Sequence, residues 1–222
     1  MFISTDDRRK LESEMNKTFR NGVPIYGNNA KMVIFLLHTG LRFGELTALK
    51  WKNVHLNDNK IFITENIPII KNRDKSLHKA YVLDNTTTKR KNSERYVPLS
   101  NKAHAIIQYF YDNYGHKDDD LVFVSEKNTP ANRRNVNRTL KGMLVSAGCK
   151  IQNASVHDLR HSFGSELIKQ NVDIKVVSKL MGHADITTTY NVYIHILDEQ
   201  CCSAVDIFNA PDIITGMEKI IS

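Results

Sequence analysis

The sequence predicts a mainly α fold with a small antiparallel β-sheet, an α+β arrangement, on two observations. Apolar residues recur at helical spacing before residue 54 and again after Ser100. Between these regions, KIFIT, IPII, KAYVL and RYVPL are short β-branched or aromatic runs separated by polar clusters, the pattern of strands and turns. The 222 residues suffice for a full hydrophobic core. With no internal repeat or low-complexity tract, they read as one large domain rather than two small ones.

In FISTDDRRKLESEM, Ser4 or Thr5 is the N-cap, acids fill the first turn, and Leu11 and Met15 lie on one apolar face. NNAKMVIFLLHTG follows a Gly/Pro/Asn-rich link, with an asparagine cap at its front and Gly40 where a left-handed helix stop belongs. GELTALKW begins a third helix almost at once, so Arg42 stands at a helix entrance between two buried elements. The strand region suggests two hairpins, one turning at KNRDKS and one at TTTKRKNSE. Helical periodicity returns in NKAHAIIQYFYDNY, RRNVNRTLKGMLVSAG, HDLRHSFGSELIKQ and IKVVSKLMG. From Asp198 to Ser222 apolar and polar residues mix, which suits either a closing helix or an arm for another subunit.

A formal charge of +7 and a pI near 9.2 favour a polyanionic partner, with nucleic acid ahead of an anionic membrane surface. The longest apolar run, MVIFLL at 32–37, is too short to span a bilayer, and the start lacks the charged and apolar segments of a secretory signal. The expectation is a soluble protein of the cytoplasm. Cys149, Cys201 and Cys202 form no CxxC pair, and Asp118, Asp119 and Asp120 read as a solvated turn, so neither a metal nor a cofactor is expected.

Four segments carry candidate chemistry. In HDLRHSF, His157 and Arg160 share one helix face, with His161 beside them. In TGLRFGEL, Arg42 follows the helix-ending glycine and precedes Glu45. TKRKNSERYVPL is a basic hairpin in which Lys89, Arg90, Lys91 and Arg95 crowd a turn. In LMGHADITTTYNVYIH, His183 follows a helix-ending glycine, and Tyr190 and Tyr193 come after it. Each segment also has a plain structural reading: a satisfied histidine, an Arg–Glu pair, a solvated turn, a tyrosine pair in the core.

Taken together, in this order, the segments resemble the tyrosine recombinases, the phage and transposon integrase family. TGLRFGEL is similar to the family's first arginine box, HDLRHSF to its HxLRH box, and LMGHADITTTYNVYIH to its LGH…Y box. The resemblance covers residues 1–197 and looks nearest to the integrases of conjugative transposons. It implies the family's catalytic-domain fold over 1–197 and a C-terminal tail over 198–222 that subunits could exchange. The N-terminal DNA-binding domains that members normally carry would lie outside this chain.

The implied activity is metal-independent, site-specific cleavage and rejoining of double-stranded DNA through a 3′-phosphotyrosyl link, in the integration and excision of a mobile element. The implied partners are the recombination sites, further copies of the chain in a tetrameric synapse, and an accessory DNA-bending or excision factor. By the same resemblance Arg42 and Arg160 clamp the phosphate, because a planar guanidinium can grip it with two bonds. Lys89, with Lys91 as the alternative, protonates the 5′ oxygen. His157 assists proton transfer from the tyrosine, and His183 hydrogen-bonds the phosphate. The nucleophile is Tyr193, which precedes Ile194 and His195, whereas Tyr190 falls where members commonly have an apolar residue. Lys50, Lys52, Arg90, Lys91, Arg95, Arg133, Arg134 and Arg138 are the cations expected to meet DNA phosphates. The competing readings are a type IB topoisomerase, a catalytically idle DNA-binding module, and a metal-dependent nuclease, for which no convincing carboxylate cluster stands in the sequence.

Overall fold

A computed structural model describes residues 2–64, 69–71, 81–83, 94–115 and 117–205. Helix α1 (Thr5–Met15) starts where the Ser4 side chain accepts from the Asp7 amide. Helix α2 (Gly27–Thr39) is buried along nearly its whole length and packs against α1 and three later helices. Its start differs from the expected asparagine cap. Asn28 lies inside the first turn, its side chain donating to Tyr114 Oη and the Val124 carbonyl, while Glu126 Oε1 takes the Asn28 amide at 2.6 Å. The cap therefore comes from a segment about a hundred residues away, as the distant pairing shows. Gly40 ends α2 in the left-handed region, and a Cβ there would strike the Phe163 ring.

Arg42, extended, leads directly into α3 (Phe43–Ala48). A 3₁₀ turn, Trp51–Asn53, then precedes β1 (Val54–His55) and β2 (Lys60–Ile63). Strands β3 (Ile69–Lys71) and β4 (Tyr81–Leu83) pair antiparallel, as the first expected hairpin requires. The turn of the second expected hairpin, TTTKRKNSE, lies outside the described residues apart from Glu94, and among the described residues β5 (Arg95–Pro98) pairs with β2 rather than β4. The two strands are antiparallel, with Ile61 opposite Val97, in a sheet of order β1-β2-β5. Ile61 and Ile63 on β2 and Val97 on β5 all point into the core, so burying one shared face favours this pairing over a local one.

Helices α4 (Asn101–Asn113), α5 (Arg133–Ser146), α6 (Val156–Lys169) and α7 (Ile174–Met181) are capped by the side chains of Ser100, Asn132, Ser155 and Asp173. Gly182 ends α7 in the left-handed region. Helix α8 (Ile186–Val205) runs through the expected 197/198 boundary without a break, and Gln200 donates to the Ile168 carbonyl of the same chain. The main core surrounds α2. A smaller cluster, Ile168, Val177, Met181, Tyr193 and Ile196, joins α6, α7 and α8. Among the described residues no helix is long and apolar enough to cross a membrane.

Candidate active site

Helix α7 ends with carbonyls that have no partner inside the helix and carry the negative end of its dipole. Three arginines from three different elements fill that role. Arg95 Nε donates to the Leu180 carbonyl at 2.8 Å, Arg160 Nη2 to Met181 at 2.5 Å, and Arg42 Nη2 to Gly182 at 3.1 Å. Arg160 Nη1 also donates to the Gly40 carbonyl at 2.7 Å, tying the α2–α3 turn to the end of α7. Segments far apart in sequence are thereby drawn to one point.

Glu45 holds two of these arginines in place. One carboxylate oxygen accepts from Arg42 Nη1 at 2.8 Å, the other from the Arg42 amide at 2.8 Å, and Arg95 Nη1 and Nη2 bond the pair at 3.1 and 2.9 Å. Burial works to raise this carboxyl, but the hydrogen bonds and charge of Arg95, and then of Arg42, outweigh it and hold Glu45 below its ordinary value. Glu45→Ala removes the carboxylate that pairs with the buried Arg95 guanidinium. The variant is expected to lose about 3–5 kcal/mol of stability, the usual cost of breaking a buried pair from one side. Denaturant unfolding reads this directly, and an unchanged midpoint would mean the pair does not hold the site together.

Arg160 differs from its neighbours. It is 2% exposed, and among the described residues it is bonded to carbonyl oxygens alone. Burial, followed by the like charge of Arg42, lowers its pKa, yet a guanidinium stays charged at neutral pH. Arg42, beside it, has a side chain 32% exposed. A buried cation lacking a carboxylate next to a cation open to solvent is a site that an anion completes.

The nearby imidazoles are kept neutral. Burial, and then the charges of Arg160, Arg42 and Arg95, press His183 down to about 4. His157 is lowered by burial and then Arg160, and His161 by burial and then His157, whose ring meets it edge-on at 4.5 Å. The His157 ring reaches solvent at the start of α6, free to take up a proton. His183 Nδ1 lies 2.8 Å from Thr189 Oγ1.

The two tyrosines of α8 part company. Tyr190 is 46% exposed, whereas Tyr193 is 1% exposed, its Oη 3.5 Å from both the His161 carbonyl and Met181 Sδ. Burial pushes the Tyr193 phenol up to about 12 against the opposing pull of Arg160. The ring lies on Gly164 of α6, where a Cβ would collide with Oη. The absence of a side chain at Gly164 thus makes the pocket.

The structure brings together Arg42, His157, Arg160, His183 and Tyr193. Lys89, Arg90 and Lys91 lie outside the described residues. Arg95 departs from the expected DNA contact: β5 turns it inward beside Val97 and sends Tyr96 out, and its side chain is 4% exposed. Lys50 and Lys52 are on the surface, both paired with Asp119 at 3.4 and 2.8 Å. Arg133, Arg134 and Arg138 stand exposed on α5, with no ion pair among the described residues, and the Arg133 charge reaches His157. An open groove of about 690 Å³ passes the cluster between β5 and α7, lined by Tyr96, Lys175, Lys179 and His183. Sequence reasoning missed Thr189, Gly164 and the two groove lysines. The spacing of Lys175 and Lys179, one helical turn apart on the exposed side of α7, was their available signal.

Residues 2–200 match the phage integrase family. A XerC-like tyrosine recombinase of Caldanaerobacter subterraneus subsp. tengcongensis is 26% identical over 196 residues, covering 82% of this chain and 50% of that protein. The tyrosine recombinase XerD of Brucella abortus is 38% identical over 112 residues, covering 48% of this chain and 36% of its own length. The chain spans about half the length, or less, of these curated relatives. The Tn1549 transposon integrase, solved with transposon right end DNA, shares the fold at a TM-score of 0.72 and 19% identity, over 95% of this chain and 66% of that one. XerA recombinase follows at 0.66 and 20%, over 96% and 64%.

Proposed function

The chain belongs to the phage integrase family, and from that premise we propose that it cleaves and rejoins double-stranded DNA at specific sites through Tyr193. The reaction serves the integration and excision of a mobile element in the cytoplasm. The observation that carries this reading is Arg160, a buried guanidinium without a carboxylate partner among the described residues, beside the partly exposed Arg42 and close enough to act on the Tyr193 phenol by its charge. The Tn1549 integrase, solved with transposon right end DNA, supports the mobile-element part.

A scissile phosphodiester seats its non-bridging oxygens on His183 and on the guanidinium donors of Arg42 and Arg160 that their carbonyl bonds leave over. Tyr193 Oη attacks phosphorus, the bond to the 5′ oxygen breaks, and Lys89 or Lys91 protonates that oxygen. His157, neutral, takes the phenolic proton. The resulting 3′-phosphotyrosyl ester keeps the bond energy for resealing by a 5′ hydroxyl. Tyr193 must first leave its pocket on Gly164, which costs on the order of 2 kcal/mol of apolar burial, well within what DNA contacts provide. Lys50, Lys52, Arg133, Arg134 and Arg138 meet the DNA backbone, and the partners are further copies of the chain in a synapse, with an accessory bending or excision factor. Residues 1–197 form the catalytic domain, and the segment beyond serves contacts between copies.

The test is a nicked duplex bearing candidate element ends, incubated with the protein in EDTA and run on a denaturing gel. A covalent protein–DNA band is expected. At subsaturating DNA, where the groups of the free protein are read, its rate should fall as pH drops through the lowered His157 value, so the acid limb lies below about 6.5, the ordinary histidine pKa. A limb at or above that value would remove His157 as the base. A second reading, a catalytically idle DNA-binding module, draws on the inaccessibility of Tyr193 at rest. DNA binding without any covalent band would favour it.

A further inference from the structure

We propose that Thr189 is a positioning residue whose hydroxyl donates to His183 Nδ1, holding the imidazole as the Nε2–H tautomer with that N–H directed to a phosphate oxygen. The inference rests on the recombinase reading and deepens it. Thr189 is fully buried on α8, one turn before Tyr193 and on the same side of the helix. Its Oγ1 stands 2.8 Å from Nδ1, and among the described residues the hydroxyl has no other hydrogen-bond partner.

The two possible tautomers are not equivalent. His183, half-buried beside Arg160, Arg42 and Arg95, holds a single ring proton at neutral pH. With that proton on Nδ1, the threonine would accept, its own hydroxyl proton would be stranded in the interior, and a bare Nε2 lone pair would face the phosphate. With it on Nε2, the hydroxyl donates to Nδ1, both buried groups are satisfied, and the site gains a neutral donor. His183 also lines the open groove, so Nε2 is the nitrogen left for a ligand. The same bond ties the turn after α7 to the helix bearing the nucleophile, so the donor follows any shift of α8 that releases Tyr193.

The test pairs a spectroscopic readout with a kinetic one. In the free protein labelled with ¹⁵N-histidine, and assigned with His183→Gln, the His183 resonances should show an imine-type Nδ1 and a protonated Nε2. Thr189→Val, equal in shape but without the hydroxyl, should lose that signature. Its single-turnover cleavage should slow by about 10- to 100-fold, short of the ~10²–10³ lost when a preorganised donor is deleted outright. DNA affinity should hold, and Thr189→Ser should restore both readouts. A protonated Nδ1 in the wild type, or a Thr189→Val protein that cleaves at the wild-type rate, would overturn the proposal. The tautomer is read without DNA, so a wild type that forms no adduct would count against the recombinase reading while the tautomer result stands separately.

Discussion

Tyr193→Phe is expected to abolish the covalent protein–DNA adduct while leaving the fold as stable as before, and Tyr190→Phe to change neither. Among the described residues the Tyr193 hydroxyl has two hydrogen-bond partners, a carbonyl at 3.5 Å, beyond the usual O–H···O distance, and a thioether at 3.5 Å, a weak acceptor. Deleting it costs the fold little, within about 1 kcal/mol, and the ring still fills the pocket on Gly164. The chemistry has no substitute for it, because the phosphotyrosyl bond is made to that oxygen. Tyr190 is 46% exposed, one turn away, and outside the arginine cluster. Denaturing gels score the adduct and urea unfolding scores the fold. An adduct surviving in Tyr193→Phe but lost in Tyr190→Phe would move the nucleophile by one helical turn.

The features that were legible in the sequence are those set by neighbouring residues. Gly40 and Gly182 end helices in the left-handed region where their positions after apolar runs say they should. His157 and Arg160 share a face of α6 because of their spacing, and Ser155, Ser100 and Asp173 cap helices as short polar side chains do. Partnerships made across the chain were hidden. The front of α2 is capped by Glu126, and β5 crosses over to β2 past its sequence neighbour β4. No local pattern encodes either choice.

Arg95 falls between these cases. Read as part of a basic turn it belongs on the surface, but in RYVPL it stands two residues from Val97, and in a strand those positions share a face. Had that alternation been weighed above charge, an inward arginine needing a buried acid would have followed. The sequence supplies one three residues after Arg42, in Glu45. What could not be read is that α7 presents three successive carbonyls to three arginines, because the meeting point exists only once α2, β5, α6 and α7 are packed.

Arg160→Lys should separate charge from geometry at that meeting point. The substitution keeps a formal cation, so binding to duplex DNA at low salt is expected to persist, since the other exposed cations supply it. Cleavage is expected to fall by about 10²–10³, as when one preorganised oxyanion donor is lost. An ammonium on a flexible stem cannot bond the carbonyls of Gly40 and Met181 together and still present a fork to a phosphate. Burial and the like charges of Arg42 and Arg95, which lower Arg160 itself, would also lower a lysine there, and a lysine can lose its proton where a guanidinium does not. One orphaned carbonyl adds about 1–3 kcal/mol of instability, so rates must be compared at a temperature where both proteins are folded. If the lysine variant then cleaved at the wild-type rate, the planar fork would be dispensable, and Arg160 would be a structural tie between α2 and α7 rather than part of the phosphate site.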